Sequence, residues 1–342
     1  MRHLVCISAL GVMAAMAFGQ APSGETKPAP ATKSWNQPKT PWGDPDLQGT
    51  WTGDDCIGTP LQRPVKFGDR LYLTEQELAE REANREKTEH SDLEQVVAPG
   101  QAATIGGPEH WMERSRRPCK QTSLIVDPRD GRLPDILPEA KTRHVGAGAI
   151  VSDPKADSWE DFDYYIRCIT RGVVGSILPV IYGNGQQIVQ GKGFVTILQE
   201  MVHEARVIPL DGRPHAGPNI RSFMGDARGH WEGNTLVVET TNFVGNTTGV
   251  NGNGGGTPTS DALTLTERYT RTGPNEMRYE LTVDDPKTFV RPYKVLLPLT
   301  EEPGYRNYEY ACHEGNYGMF NSLSGARAKE KKAAAAAAAA KN

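Results

Sequence analysis

From Gln186 to Glu314 the chain alternates apolar and polar side chains with period two, in short runs separated by turn residues. A period of two places alternate side chains on opposite faces of a strand, so the pattern predicts about nine strands. They are Gln186–Gln190, Phe194–Met201, Ala205–Pro209, Ala227–Glu232, Thr235–Phe243, Ala262–Arg271, Met277–Asp284, Arg291–Leu299 and Arg306–His313. Asp211-Gly212, Gly233-Asn234, Gly273-Pro274-Asn275 and Asp284-Asp285-Pro286 supply the turn chemistry that tight connections need. The glycine-rich run Gly245–Pro258 reads as a mobile loop. Strands this closely spaced leave no room for the crossover helices of a parallel sheet. The expected fold class is therefore mainly β: an antiparallel up-and-down barrel or a strongly curved meander, with one short exposed helix and long loops.

The first half carries fewer signals. Thr74-Glu75-Gln76-Glu77 fits a capping box, with Leu73 and Leu78 placed as a hydrophobic staple, and predicts an exposed helix over 74–89. Thr122–Asp127, the turn Pro128-Arg129-Asp130-Gly131 and the run Arg132–Ile136 predict a hairpin. Asp157–Tyr165 is acidic and aromatic and suits a short helix, while glycines 172, 175, 183 and 185 mark loops.

The ends differ from the body. Residues 1–19 have a basic start, an apolar stretch and small residues before Gln20, the plan of a cleaved export signal; the apolar stretch is shorter than the ~20 residues a membrane span needs. Residues 20–46, rich in Pro and Lys, predict an extended spacer, and 47–320 a single β-rich domain. In the Ala-rich tail 321–342, Arg327, Lys329, Lys331, Lys332 and Lys341 stand against Glu330 alone. Such a tail has no amphipathic face, so it is expected to be solvated and only intermittently helical, with electrostatic contact to an anionic envelope surface as its partner reading.

Composition narrows the classes. The net charge is -4 and no basic field runs along the chain, which disfavours nucleic-acid partners. Cys6 leaves with the signal, and Cys56, Cys119, Cys168 and Cys312 remain. In an oxidising compartment four cysteines make two disulfides in any of three connectivities. The expected location is periplasmic or extracellular.

Five motifs then carry a resemblance: Glu200-Met-Val-His-Glu-Ala-Arg206, Asp211-Gly-Arg-Pro-His215, Gly229-His-Trp-Glu-Gly-Asn-Thr-Leu-Val-Val-Glu-Thr240, Ser260-Asp-Ala-Leu-Thr-Leu-Thr-Glu-Arg268 and Asp284-Asp-Pro-Lys-Thr-Phe289. Over about residues 45–317 the chain resembles a large group of uncharacterised exported bacterial proteins, a likeness that implies export and no particular activity. Gly49-Thr50-Trp51 also resembles the G-x-W start of lipocalins, which implies a calycin-like barrel around a small ligand.

Standard catalytic signatures are absent: there is no G-x-S-x-G, no P-loop and no G-x-G-x-x-G after a strand. His203-Glu204 and His313-Glu314 open like zincin motifs but belong to the region of predicted strands, not to a helix, with Val207 and Tyr317 where the second histidine belongs. Convergence of His203, His215, His230 and His313 would suit zinc or copper; hydrogen-bonded structural histidines are the plainer account, and no metal or other cofactor is assigned. Strand parity puts Glu267 in phase with Leu263, Leu265 and Tyr269, Glu239 with Val237 and Phe243, and Glu200 with Phe194 and Leu198. A carboxylate on an apolar face needs a cationic or hydrogen-bonding partner, for which Arg206, Arg268 and Arg278 are available; cross-strand ion pairs on a wet face are the alternative. Arg167 and Arg171, flanking Cys168, suit an anion-binding corner or simply a disulfide anchor. The tyrosines and Trp231 suit sugar stacking or core packing.

These readings combine into a barrel-like protein that binds a small or glycan-like ligand in an internal cavity. Its candidate catalytic residues are Glu239, Glu267 and His203, and its candidate binding residues Arg206, His230, Trp231, Arg268, Tyr279 and His313. A carboxylate/His hydrolase or lyase acting on a carbohydrate or ester, and an envelope-associated scaffold, are the rival expectations.

Overall fold

The alternating runs do become strands, and their inner rows form the core. In the computed structural model, which describes residues 35–92, 117–143 and 157–340, ten strands are present. They are β1 (Gly49–Thr52), β2 (Ile125–Asp127), β3 (Gln186–Gly191), β4 (Phe194–Gln199), β5 (Ala205–Pro209), β6 (Asp226–Glu232), β7 (Thr235–Thr241), β8 (Thr264–Gly273), β9 (Glu276–Asp284) and β10 (Tyr293–Glu301). Three helices accompany them: α1 (Glu75–Asp92), α2 (Gly172–Ile177) and α3 (Gly318–Ala339). The export signal and most of the spacer lie outside the described residues. Among the described residues no helix is long and apolar enough to cross a membrane.

The sheet runs β5-β4-β3-β1-β10-β9-β8-β7-β6, every pair antiparallel. β2 lies on the same edge of β10 as β1, further along: β1 meets Thr300 and Glu301, and β2 meets Lys294 and Val295. The sheet curls until its end strands approach, and the barrel is nearly closed. A Cβ on Gly229 of β6 would fall 2.7 Å from Leu210 and 2.9 Å from Ile208, so the absence of a side chain there lets the β5 side come close. Nine strands of alternating direction lie on this path, so β5 and β6 run the same way. A tight hairpin cannot join parallel strands, and residues 210–225 must instead carry the chain back along the barrel.

The two ends of the barrel consequently differ. At one end Lys192-Gly193, Gly233-Asn234 and Pro274-Asn275 close short hairpins, with Gly193 and Gly233 at positive φ. The other end receives the connections 200–204, 242–263 and 285–292, and the segment with α2 that leads into β3. All six residues of α2 are buried, and Val173, Val174 and Ile177 join the core that includes Trp51, Ile188, Ile197, Leu281 and Leu297. Each such apolar side chain contributes about 1.5–3 kcal/mol by leaving water. The glycine-rich run, expected to be mobile, folds onto itself through Gly249 N–H to Gly254 O (2.5 Å) and Asn251 N–H to Gly255 O (2.9 Å). It packs on α2, where a Cβ on Gly172 would fall 2.6 Å from Thr248 Oγ1.

Several local expectations are corrected. The 122–136 hairpin does not form: β2 pairs with β10, and Ile136 makes an isolated bridge to Phe289. The buried Arg63 guanidinium donates to the carbonyls of Arg129 (2.7 Å) and Ile125 (3.5 Å), and Arg63 N–H takes Gly131 O, which uses backbone acceptors a hairpin ladder would need. Arg306–His313 is not a strand but a strap. Its Tyr308 N–H donates to the Glu200 carboxylate (3.3 Å), as does Tyr305 O–H (2.5 Å). β4 stops at Gln199, so Glu200 lies beyond the strand, buried under that strap. The Phe194 and Leu198 face with which it is in phase is the outer one. The tail is continuous as α3, with no buried residue.

The disulfides are Cys56–Cys119 and Cys168–Cys312. Both are compatible with an oxidising, exported location.

Candidate functional site

The most polar feature of the barrel interior is an ion pair. Register turns Arg206 inward opposite Ile197, and Glu267 inward between Val238 and Leu281. Their side chains are 3% and 0% exposed. Arg206 donates Nη1–H to Glu267 Oε2 (2.6 Å) and Nη2–H to Oε1 (2.8 Å), a two-pronged contact. Tyr269 O–H (2.8 Å) and Tyr279 O–H (3.1 Å) also donate to Oε1. Tyr269 and Tyr279 face each other across β8 and β9, with ring centroids 4.8 Å apart. Burial works against the guanidinium charge, but the Glu267 carboxylate outweighs it and holds Arg206 above the ordinary arginine range. Burial, then the Glu267 charge, pushes both phenols well above the ordinary tyrosine value.

Four donors on its two oxygens hold Glu267 as the counter-ion of Arg206. Around this pair other buried polar atoms lack any protein partner: Arg206 Nε, both amide atoms of Gln199, Gln186 Oε1 and Thr240 Oγ1. Gln186 opens β3 and pairs with Gln199, the last residue of β4; Arg206 is second in β5, and Thr240 is next to last in β7. All four therefore lie toward the long-connection end. Buried polar atoms are ordinarily satisfied, so an unpaired set marks water or ligand positions.

The other candidates divide between the two faces of the sheet. Tyr279 is interior and fully buried. Trp231 is half-buried against the core with its indole N–H unpaired. Glu239 faces outward with 55% of its side chain exposed, so it does not share the interior with Glu267. The reason is register: Leu236 and Val238, not Val237, point inward, opposite Tyr269 and Glu267. Glu239 instead accepts from His215 Nε2 (3.1 Å), whose Nδ1 lies 3.1 Å from Asp226. Ala216 N–H and Arg228 also donate to Asp226; burial raises its pKa, but these donors outweigh it and the net shift is downward. His230 and Arg268 are also external, both reaching Glu232 at 3.3 Å and 2.7 Å. His313 is exposed in the turn that ends the strap, and His203 belongs to a 3-10 turn, so neither lies in a strand. Among the described residues no group of three or more His, Cys, Asp or Glu is placed to hold a metal ion.

Arg167 and Arg171 part company. Arg167 stacks on Trp159 (4.4 Å) and Tyr164 (4.8 Å), while Arg171 is buried at the start of α2. A cavity of about 430 Å³ lies elsewhere, between residues 117–121 and strands β9 and β10, with Arg278, Leu296, Pro298 and Thr300 in its wall. None of the candidate residues lines it. Gln186 and Gln199 were missed in the sequence, although each is in phase with apolar Ile188 or Ile197, the same signal that singled out Glu267.

Compared with protein-family models, curated proteins and solved structures, the chain matches none.

Proposed function

We propose that this chain is an exported barrel protein that binds a small, polar, glycan-like ligand inside the barrel at its long-connection end, without chemistry. The observation that carries this reading is the unpaired set around the Arg206–Glu267 pair: Arg206 Nε, Gln199 Nε2 and Oε1, Gln186 Oε1 and Thr240 Oγ1. Donors and acceptors in one apolar enclosure are what a hydroxyl-rich molecule requires, and Tyr269 and Tyr279 add aromatic edges beside them. Binding is favoured over hydrolysis because Glu239 and Glu267 lie on opposite faces of the sheet and cannot flank one bond. The N-terminal signal pattern and the two disulfides support export; the resemblance to exported bacterial proteins and to lipocalin starts agrees with this reading.

The test is a thermal-shift screen of mono- and disaccharides against the mature protein and Gln199→Leu. A bound sugar at a hundred times its Kd stabilises by about 2.7 kcal/mol. The expected outcome is saturable stabilisation of the wild type that Gln199→Leu removes. If no sugar stabilises the wild type and Gln199→Leu only raises Tm, the interior is a core with imperfectly paired amides and the reading fails.

A further inference from the structure

The buried Arg171 guanidinium has no counter-charge bonded to it and, unlike the buried Arg63, which donates to backbone carbonyls, no partner on its Nε and Nη2 either. Arg171, immediately before α2, is 1% exposed, yet its Nε and Nη2 have no hydrogen-bond partner. Those two N–H groups point in parallel from one edge of the guanidinium, the edge that grips two oxygens of a carboxylate or phosphate at once. Arg206 spends its own fork, the Nη1 and Nη2 pair, on Glu267; Arg171 has nothing equivalent.

Its electrostatic company is the phenols of Tyr165, Tyr310 and Tyr182, and then Glu204, whose Oε2 accepts from Thr170 Oγ1 at 2.6 Å. The guanidinium carbon lies 5.8 Å from the Tyr165 ring centroid. The Tyr165 phenol lies 3.4 Å from the Met201 sulfur and hydrogen-bonds with Tyr310 and Tyr182, weak neutral partners that an oxyanion would replace. Burial lowers the Arg171 pKa to about 10, as expected of a charge withdrawn from water without compensation. Such a charge is costly to keep unless something pairs with it.

The surroundings are built from separate parts of the chain. The Cys168–Cys312 bridge ties the strap, and with it Tyr310, to the segment that carries Arg171. The glycine-rich run packs on the backbone of the same segment, where a Cβ on Gly254 would fall 2.6 Å from Arg171 O. Tyr182 and Tyr310 are only partly buried, which leaves their side as the way in.

We propose that Arg171 is the anchor of a small-oxyanion site, where a carboxylate or phosphate takes Nε–H and Nη2–H side-on and the phenols of Tyr165, Tyr182 and Tyr310 donate to its remaining oxygens. The site does not depend on a ligand in the barrel interior.

The experiment titrates the mature protein, both disulfides intact, with sodium acetate or sodium phosphate at constant ionic strength against sodium chloride. It follows the assigned Nε–H resonance of Arg171 and the thermal midpoint. The expected result is a saturable shift of that resonance and a rise in Tm with at least one of the two anions. The arm that responds identifies carboxylate or phosphate as the source. Arg171→Lys keeps the charge but loses the fork, and weakens binding at least about tenfold. Tyr310→Phe weakens it by a smaller factor and serves if Arg171→Lys does not fold. An unmoved Arg171 resonance with both anions means that water fills the fork and overturns the proposal. So does a Tm rise that chloride reproduces or that survives unchanged in the folded variants.

Discussion

At the scale of single residues, the Arg206–Glu267 pair shows how strand register produces a buried charge and its partner together. Arg206 extends from β5 to Glu267 on β8 past β6 and β7, and β6, the nearer of the two, presents Ala227 and Gly229 on its inner face. Small residues there leave space for a long side chain. A lysine would supply one charged nitrogen and lose the two-pronged contact. Removing one partner leaves the other buried and uncompensated, so Glu267→Gln should cost about 3–5 kcal/mol in urea unfolding. Arg206→Met combined with Glu267→Leu should cost clearly less than the sum of the two single changes, because neither charge is then stranded. Part of the loss remains, since the Tyr269 and Tyr279 hydroxyls lose their acceptor. Strictly additive losses would show that the two side chains are not energetically coupled.

At the scale of elements, α1 illustrates a signal that local chemistry settles. Thr74 Oγ1 accepts from Glu77 N–H (3.3 Å) while Glu77 Oε2 accepts from Thr74 N–H (2.8 Å), and Arg70 pairs with the same carboxylate. The Arg70 hydrogen bond, then that of Thr74 N–H, lowers the Glu77 pKa to about 2. A depressed carboxylate contributes its stabilisation above its unfolded pKa, near 4.5, and loses it as the pH falls toward 2. The Glu77 carboxyl resonance should therefore titrate near pH 2 and the first turn of α1 should fray over that window; Glu77→Gln should abolish the pH dependence of that turn. Titration at an ordinary glutamate value would contradict the capping geometry. The long alternating runs, β8 and β9 above all, were legible for a similar reason: one strand contains enough positions to state its own period. Parity alone failed where a run is apolar on both faces. Leu236-Val237-Val238 offers no inner side to choose, so Glu239 was placed with the wrong neighbours while Glu267, in the cleanly alternating β8, was placed correctly. β1 is too short to declare itself, and the Arg306–His313 pattern was spent on Glu200 instead of a ladder. Contacts between distant segments, such as Arg171 with the strap, have no periodic signature at all.

At the scale of the whole molecule, the odd number of strands on the barrel path determines where the chain needs fastening. β5 and β6 meet as parallel neighbours, and the 210–225 crossover is held to β6 and β7 by His215 between Asp226 and Glu239. The disulfides fasten other non-local pieces. Cys56–Cys119 joins the turn after β1 to the approach to β2, two segments that share one edge of β10. Cys168–Cys312 spans 144 residues and ties the strap to the segment before α2, while contributing no strand to the wall. The chain-entropy account assigns a loop of that length about 5 kcal/mol, most of it through the unfolded state. Replacing Cys168 and Cys312 by Ser should therefore lower global stability and, separately, free the strap. Amide exchange distinguishes the two effects. The Tyr308 N–H, held only by Glu200, should exchange as an open segment, whereas amides of β8 and β9 should lose protection only by the drop in global unfolding free energy. Exchange of β8 and β9 as fast as that of the strap would mean that the bridge holds the barrel itself together.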